Sequence, residues 1–219
     1  MGTLDKFNKK IEIKNEKQIK AIIILMISYY WMMYLYDVLC YVPNGFFNIL
    51  VDVVLHFIVV MPVFFVYCKV GLYKESIDIK NKKQYIYVIP CALIFFAACY
   101  VVFGLDFDSD AYVILDSGIL WLFIYFFFVV ALTEEFVFRV YFLGELSVVL
   151  GKAKWLAPMI SGVFFGVIHW VNMGYDSAWM NIIIGVVLGY AKMYLKNCTF
   201  ITCVLANGLY DFIITITGW

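Results

Sequence analysis

Residues 118–143 read GILWLFIYFFFVVALTEEFVFRVYFL, an aromatic and aliphatic run that contains two glutamates and an arginine. Its length is that of a transmembrane helix, because about 20 apolar residues are needed to cross the hydrocarbon core of a bilayer. A charged side chain inside such a span costs roughly 2.5–3.5 kcal/mol on insertion scales, so the retained charges are candidates for function. This stretch therefore predicts both a membrane fold and the position of its functional site.

The composition of the whole chain agrees with a membrane protein. Of its 219 residues, 65% are hydrophobic and 15% are charged, whereas a soluble domain is typically about 45–50% apolar and about 25% charged. The 16 Lys and Arg residues balance the 16 Asp and Glu residues, so no basic excess is present to hold a phosphate backbone, and we expect no nucleic-acid partner. The six cysteines have no CxxC spacing, which predicts neither a disulfide framework nor a zinc site.

Apolar runs bounded by charged or turn residues predict about seven transmembrane helices. These runs lie near residues 21–39, 46–68, 84–104, 118–143, 156–173, 178–195 and 198–218. We therefore expect an all-α, polytopic membrane protein with a basic cytosolic tail at 1–20 and a single helical membrane domain at 21–219. Since no small-residue cleavage site follows the first run, we expect a retained first span and not a cleaved signal peptide.

The segments between the spans differ in the sign of their charge. The N-terminal tail holds six lysines and segment 69–83 holds five, while segment 105–116 holds four aspartates and no basic residue. Basic residues accumulate on the cytosolic side of membrane proteins, so we expect a multi-pass protein of the cell membrane whose N-terminus is cytosolic and whose C-terminus is outside. The remaining lysines fall on the same side under this topology: Lys152, Lys154, Lys192 and Lys196.

Three ionisable residues lie within six positions of the fourth predicted span. Glu135 and Arg139 are four residues apart and can pair along one helix face. Glu134 lies about 100° around the helix from Glu135 and is left available to take a proton from another group. The alternative is a structural salt bridge near the cytosolic interface, with Glu134 reaching toward water.

Polar residues also interrupt other predicted spans. His169 shares a helix face with Gly162 and Gly166, and such a strip of small residues permits close helix packing and directs the imidazole into the bundle. A lone intramembrane histidine is as often a structural hydrogen-bonding group as a catalytic one. Gly185 and Gly189 form a second small-residue pair, which is a packing signal.

The last span carries Asn207 and Asp211, which are four residues apart and therefore on one face. The amide of Asn207 can donate to a developing oxyanion, and Asp211 can orient that amide or bind a cation. The alternative is a hydrogen-bonded pair that holds two helices in register. Asp52 and His56 in the second span have the same spacing, and we expect them to be structural.

Glu134-Glu135-x-x-x-Arg139 and Phe165-x-x-x-His169, followed by a polar pair on the last span, resemble the CPBP family of intramembrane proteases, also called the Abi or CAAX-protease-like family. The resemblance covers residues 118–215 and implies a helical membrane endopeptidase whose site opens toward the cytosol. In that family the first glutamate and the histidine activate water, which implies this role for Glu134 and His169 and implies no cofactor.

One position departs from the family pattern, because Asn207 stands where the family usually has histidine. An amide can still donate to an oxyanion, and the loss of one such donor commonly costs about 10²–10³ in rate. The departure also leaves one candidate histidine among carboxylates, so we expect no metal site. At about 1.5 Å per residue, Glu134 lies about 14 Å and His169 about 20 Å from the inner ends of their predicted spans, so the helices must tilt or begin deeper for the two side chains to meet.

The leading hypothesis is an intramembrane endopeptidase that acts on a membrane-associated peptide or protein. Glu134 and His169 would activate water, the Glu135–Arg139 pair would position the helix, and Asn207 would supply an oxyanion donor. The alternative, favoured by Asn207, is a catalytically silent relative that acts as a scaffold, regulator or bacteriocin-immunity protein by binding another membrane protein. A small transporter or channel is a weaker hypothesis, because the polar residues gather toward one side. The composition, rich in Ile, Lys, Asn and Tyr, is typical of an AT-rich bacterial source.

Overall fold

The computed structural model describes residues 16–31, 34–35, 45–71, 73, 75, 77–103 and 118–217. Side chains are not described at 45–49, 52, 59, 70, 99, 101–103 and 171–177. Within the described ranges the regular elements are helices and no strand occurs, which confirms the all-α prediction. The predicted basic tail is described only from residue 16, and the acidic segment 105–116 lies outside the described residues.

Six helices follow one another in the described ranges. They are α1 at 16–31, α2 at Gly45–Val70, α3 at Val88–Phe103, α4 at 119–150, α5 at Ala157–Tyr194 and α6 at Phe200–Thr217. A 3₁₀ turn at Lys82–Tyr87 leads into α3, and another at Gly151–Leu156 joins α4 to α5.

Helix α4 is longer than the predicted span at 118–143. Its last part runs from Leu143 to Leu150, and it ends at Gly151, whose φ of 53° lies in the left-handed region that favours glycine. Glu145, two residues beyond the predicted end, is fully buried, and its Oε1 accepts a hydrogen bond from the backbone N–H of Tyr73. The extension adds about 10 Å to the C-terminal part of the helix, and Glu134 and His169 lie level with each other along the bundle.

The range Ala157–Tyr194 of α5 is not one straight helix, because it folds back on itself. A Cβ atom on Gly185 would lie 2.7 Å from the Cα atom of Gly162, whereas a straight helix would separate these residues by roughly 35 Å. The arms 157–170 and 178–194 are therefore antiparallel, and they match the fifth and sixth predicted spans. Close packing through both predicted glycine strips is confirmed, because Gly166 lies against Ile182 and Gly189 lies against Pro158.

Helix α4 lies at the centre of the bundle. Its C-terminal half runs antiparallel to the first arm of α5, where the Phe138 and Phe165 ring centroids are 5.0 Å apart and the hydroxyl of Ser161 donates to the carbonyl oxygen of Phe138 at 3.1 Å. Helix α6 packs on another side, with Gly208 against the ring of Phe127. Helix α2 contacts α4 through the ring of Phe64, 5.9 Å from that of Phe136. These contacts surround residues 131–139.

The surface of the bundle fits a membrane. The stretches Ile119–Trp170 and Phe200–Thr217 are long and apolar enough to contain a membrane span, and Val53–Lys69 and Ala178–Tyr194 are shorter apolar helices. Large apolar side chains are exposed on the outer faces of α1 to α5, as at Ile24, Ile58 and Leu120, which are 62%, 59% and 70% exposed. Exposed apolar surface of this extent indicates a membrane or protein environment. The count of seven spans and the orientation stay predictions.

Candidate active site

The two glutamates lie on a single α-helical turn between two wider turns. Ala131–Glu135 is α-helical, whereas the flanking segments Phe126–Val130 and Phe136–Phe142 are π-helical. π-Helical turns are rare and frequently occur at functional sites, because they change the direction in which neighbouring side chains project. Both glutamates are buried here, Glu134 at 4% exposure and Glu135 at 0%. Nothing in the sequence pattern predicts the π-helical turns.

Glu134 and His169 face each other between α4 and α5. The Nε2 atom of His169 lies 3.2 Å from Oε1 of Glu134, and its Nδ1 atom lies 2.7 Å from the carbonyl oxygen of Phe165. A carbonyl oxygen only accepts hydrogen bonds, so Nδ1 carries a proton. One further proton must then lie between Nε2 and Oε1, shared by the imidazole and the carboxylate.

Asn207 on α6 completes a three-helix cluster. Its Nδ2 atom donates to Oε2 of Glu134 at 3.2 Å, and its side chain is buried. Each oxygen of the Glu134 carboxylate therefore has a partner from a different helix, His169 on α5 and Asn207 on α6. The structure thus brings three of the predicted site residues into direct hydrogen-bonding contact.

Glu135 and Arg139 form the ion pair that their spacing predicts. Nε of Arg139 lies 3.0 Å from Oε2 of Glu135, and both side chains are buried. The guanidinium also lies over the ring of Phe165, 4.3 Å from its centroid, in a cation–π contact. The same ring lies 4.5 Å from the His169 ring. Phe165 therefore contacts both the ion pair and the histidine.

Asp211 lies beside the cluster and makes no hydrogen bond to the described residues. It is half-buried on α6, one helical turn after Asn207. Its carboxylate interacts electrostatically with those of Glu134 and Glu135. The structure therefore places a third acid near the two glutamates and does not join Asp211 to the amide of Asn207.

His56 on α2, which we expected to be structural, is buried in the bundle, and that role stays a prediction. Its side chain is buried at 4% exposure and interacts electrostatically with Glu134. The side chain of Asp52, its predicted partner, lies outside the described residues.

No metal centre is evident among the described residues, where no group of three or more His, Cys, Asp or Glu side chains is arranged to hold a metal ion. The four described cysteines carry free thiols and are Cys68, Cys91, Cys198 and Cys203. The hydrogen-bonded groups of the cluster are thus a carboxylate, an imidazole and an amide, which together can move a proton and donate to an oxyanion.

A second buried polar cluster lies at the end of the bundle that carries Lys192. The ammonium group of Lys192 lies 2.6 Å from Oε2 of Glu75. The same oxygen also accepts a hydrogen bond from the hydroxyl of Tyr73 at 2.6 Å. Burial of Tyr73 is the main reason why the pKa of its phenol is raised. Since the backbone N–H of Tyr73 binds Glu145 on α4, the segment after α2 is tied to both α4 and α5. Sequence spacing did not indicate this cluster.

The chain was compared with protein families, and part of it matches one of them. Residues 116–213, somewhat less than half of the chain, match the family described as type II CAAX prenyl endopeptidase Rce1-like. The matched segment contains the cluster of Glu134, His169 and Asn207, and it confirms the family resemblance that the motifs predict. Comparison with curated proteins gave no match, and comparison with solved structures gave none. The family match supports a membrane protein of the peptidase kind.

Proposed function

We propose that this chain, which carries an Rce1-like domain at residues 116–213, is an intramembrane endopeptidase that hydrolyses a peptide bond with activated water. The observation that carries the proposal is the buried cluster in which Glu134 binds both His169 and Asn207. Buried ionisable groups in a membrane helix are costly unless they serve a function. A carboxylate and an imidazole that share one proton are suited to general acid–base catalysis.

The proton positions define the proposed reaction. With the shared proton on Nε2 of His169, the Glu134 carboxylate is ionised and takes a proton from water as the water oxygen attacks the scissile carbonyl carbon. The protonated carboxyl then gives that proton to the leaving nitrogen. The carbonyl oxygen of Phe165 holds His169 so that Nε2 faces the reacting centre. Water is the nucleophile, so neither serine nor cysteine is required.

Asn207 is proposed to stabilise the oxyanion. Its Nδ2 atom has two N–H bonds, and one of them binds Glu134. The second can donate to the oxygen of the scissile carbonyl as negative charge develops there. The Glu135–Arg139 pair has a different proposed role. It is buried, and it positions the helix that carries Glu134. The negative charge of Asp211 is proposed to act electrostatically on the carboxylates of Glu134 and Glu135.

The substrate is proposed to be a membrane-associated peptide or protein, with the site open to the cytosol. Four of the described lysines support this orientation, because they lie at one end of the bundle. The hydroxyl of Tyr190 donates to the carbonyl oxygen of Trp155, which places the end of α5 beside the segment that joins α4 to α5. The lysines of that end are Lys152, Lys154, Lys192 and Lys196, and basic residues favour the cytosolic side.

Cleavage of membrane peptides by the purified protein in nanodiscs tests the proposal. Glu134→Gln and His169→Gln are each expected to lower kcat/KM by at least about 10²-fold, the lower range for loss of a general acid–base group. Asn207→Ala is expected to lower kcat by about 10²–10³-fold. Glu16→Gln is a matched control, because Glu16 is an exposed carboxylate paired with Lys20. Equal activity in the wild type and all three site variants would overturn the proposal.

A catalytically silent relative that binds another membrane protein is the second candidate. The observation that favours it is that both oxygens of Glu134 already have partners, because Asn207 occupies one of them. In this case Glu134→Gln would preserve the cellular phenotype. Gly185→Leu would abolish it, because the arms of α5 could no longer pack.

A further inference from the structure

A buried hydroxyl group lies directly before Glu134 on α4. It belongs to Thr133, which is 4% exposed. Its proton is shared between the carbonyl oxygen of Val129 at 2.6 Å and that of Val130 at 3.0 Å. Both carbonyl groups belong to the π-helical segment Phe126–Val130. A side-chain hydroxyl that binds carbonyl oxygens of the preceding turn changes the bend of a helix, so Thr133 ties the turn that carries Glu134 to the wide turn before it.

A second buried hydroxyl group binds the wide turn on the other side of the glutamates. Ser161 on α5 is 1% exposed, and its hydroxyl donates to the carbonyl oxygen of Phe138 at 3.1 Å. Phe138 lies in the π-helical segment Phe136–Phe142, and its carbonyl oxygen also accepts the backbone N–H of Leu143. A carbonyl oxygen has two lone pairs and accepts both bonds. Ser161 therefore binds α5 to the wide turn that follows the glutamates.

These two bonds lie where the direction of the Glu134 side chain is set. A π-helical turn contains more residues than an α-helical turn, so the wide turns decide how far the following side chains rotate about the helix axis. The carboxylate of Glu134 lies 3.2 Å from His169 and 3.2 Å from Asn207, at the long end of the range for N–H···O bonds. A small rotation of α4 therefore breaks them. Ser161 shares a face of α5 with His169, eight residues later.

We infer that Thr133 and Ser161 are positioning residues of this site, whose hydroxyl groups hold the two π-helical segments of α4 so that the Glu134 carboxylate meets His169 and Asn207. The inference rests on the proposed function and adds two residues outside the motifs that carry the site. Neither hydroxyl transfers a proton in the proposed reaction. Their effect is on kcat, because a misplacement of about 1 Å in a reacting group can cost about 10²-fold in rate.

Cleavage of membrane peptides in nanodiscs is the first test. Thr133→Val removes the hydroxyl and keeps a β-branched side chain, and it is expected to lower kcat by about 10–100-fold while KM stays within about twofold. Thr133→Ser restores a hydroxyl that can bind the same carbonyl oxygens and is expected to recover most of the activity. Ser161→Ala is expected to lower kcat in the same way as Thr133→Val. If the valine variant does not fold, Thr133→Ala takes its place with the same expected result.

Matched controls remove the same kind of hydrogen bond away from the site. The hydroxyl of Thr217 on α6 binds two carbonyl oxygens of its preceding turn, at 2.8 and 3.2 Å, so Thr217→Val is the control for Thr133→Val. The hydroxyl of Ser147 on α4 binds the carbonyl oxygen three residues earlier at 2.7 Å, so Ser147→Ala is the control for Ser161→Ala. Both controls are expected to keep the kcat of the wild type. The inference fails if Thr133→Val and Ser161→Ala also keep it, or if Thr133→Ser is as impaired as Thr133→Val.

The imidazole signal of His169 gives a test that needs no catalysis. In ¹⁵N-histidine-labelled protein with a histidine-free tag, the signals of His169 are those that disappear in His169→Gln. The Nε2 signal reports the proton shared with Glu134, and Glu134→Gln marks its position when no carboxylate shares that proton. Thr133→Val and Ser161→Ala are expected to move the Nε2 signal toward that position, whereas the two control variants leave it unchanged.

The two tests separate the inference from the proposed function. A signal that moves as expected, while neither wild type nor variants cleave any peptide, would overturn the proposed function and support the positioning of Glu134 by the two hydroxyl groups. Cleavage by the wild type, with an unmoved signal and an unchanged kcat in Thr133→Val and Ser161→Ala, would overturn the inference and leave the proposed function standing.

Discussion

Replacing Glu135 by glutamine is expected to destabilise the protein far more than the same change at Glu134. Oε2 of Glu135 lies 3.0 Å from Nε of Arg139, and the two side chains are 0% and 1% exposed. None of the described residues accepts a hydrogen bond from Nη1 or Nη2 of Arg139, so the guanidinium depends on Glu135 and on the ring of Phe165. Glu135→Gln therefore leaves a buried positive charge without its counter-ion.

The size of the effect follows from the burial of the pair. Removing one partner of a buried ion pair costs about 3–5 kcal/mol, and in a chain of this size each kcal/mol lowers Tm by about 2–4 °C. We therefore expect Glu135→Gln to lower Tm by about 6–20 °C. Glu134→Gln should change the free energy of unfolding by only about 1 kcal/mol, because the amide can still bind Asn207 and His169. Arg139→Met should cost less than Glu135→Gln, since a buried carboxyl can bind a proton whereas a guanidinium stays charged.

Thermal unfolding in nanodiscs, followed by tryptophan fluorescence, measures these differences. The double variant Glu135→Gln/Arg139→Met removes both charges, so its Tm is expected to lie above that of Glu135→Gln alone. Residues in direct contact typically show coupling energies of about 0.5–3 kcal/mol in such a cycle. The reasoning is refuted if the Tm losses of Glu135→Gln and Arg139→Met simply add in the double variant. It is also refuted if Glu134→Gln and Glu135→Gln lower Tm equally.

Two further predictions concern packing and the second ion pair. Gly185→Leu is expected to prevent the arms of α5 from packing, because even a Cβ atom there would lie 2.7 Å from the Cα atom of Gly162; size-exclusion chromatography should show loss of the folded species. Lys192→Met breaks a buried pair with Glu75 and is expected to lower Tm by about 6–20 °C, whereas an exposed pair contributes at most about 1 kcal/mol. Ala97→Leu, at an exposed position, is the matched control for Gly185→Leu. Lys20→Met, in an exposed ion pair, is the matched control for Lys192→Met.

Contacts within one helix could be predicted from the sequence. The pairing of Glu135 with Arg139 depends only on the periodicity of a helix, and the glycine strips of α5 predict close approach because they lack side chains. Contacts between helices depend on register and rotation, which spacing does not define. The resemblance to a family therefore supplied the association of Glu134 with His169, and the structure supplied the distance between them.

The end of the fourth span is where the sequence interpretation needs correction. The predicted end at residue 143 lies seven residues before the end of α4 at Leu150. Glu145 is fully buried in the added part of the helix, where its Oε1 accepts a hydrogen bond from the backbone N–H of Tyr73. This partner is distant in the chain, so the spacing of residues in the sequence does not reveal it.

Phe165 gives a physical reason why the two motifs occur together. Its carbonyl oxygen accepts the Nδ1 proton of His169, four residues later, and so directs Nε2 toward Glu134. Its ring lies against the guanidinium of Arg139, which Glu135 holds on the same helix as Glu134. The ion pair therefore fixes the ring, the ring fixes the position of α5 against α4, and the carbonyl oxygen fixes the tautomer of the histidine. A change at Arg139 should consequently alter the orientation of His169 although the two side chains belong to different helices.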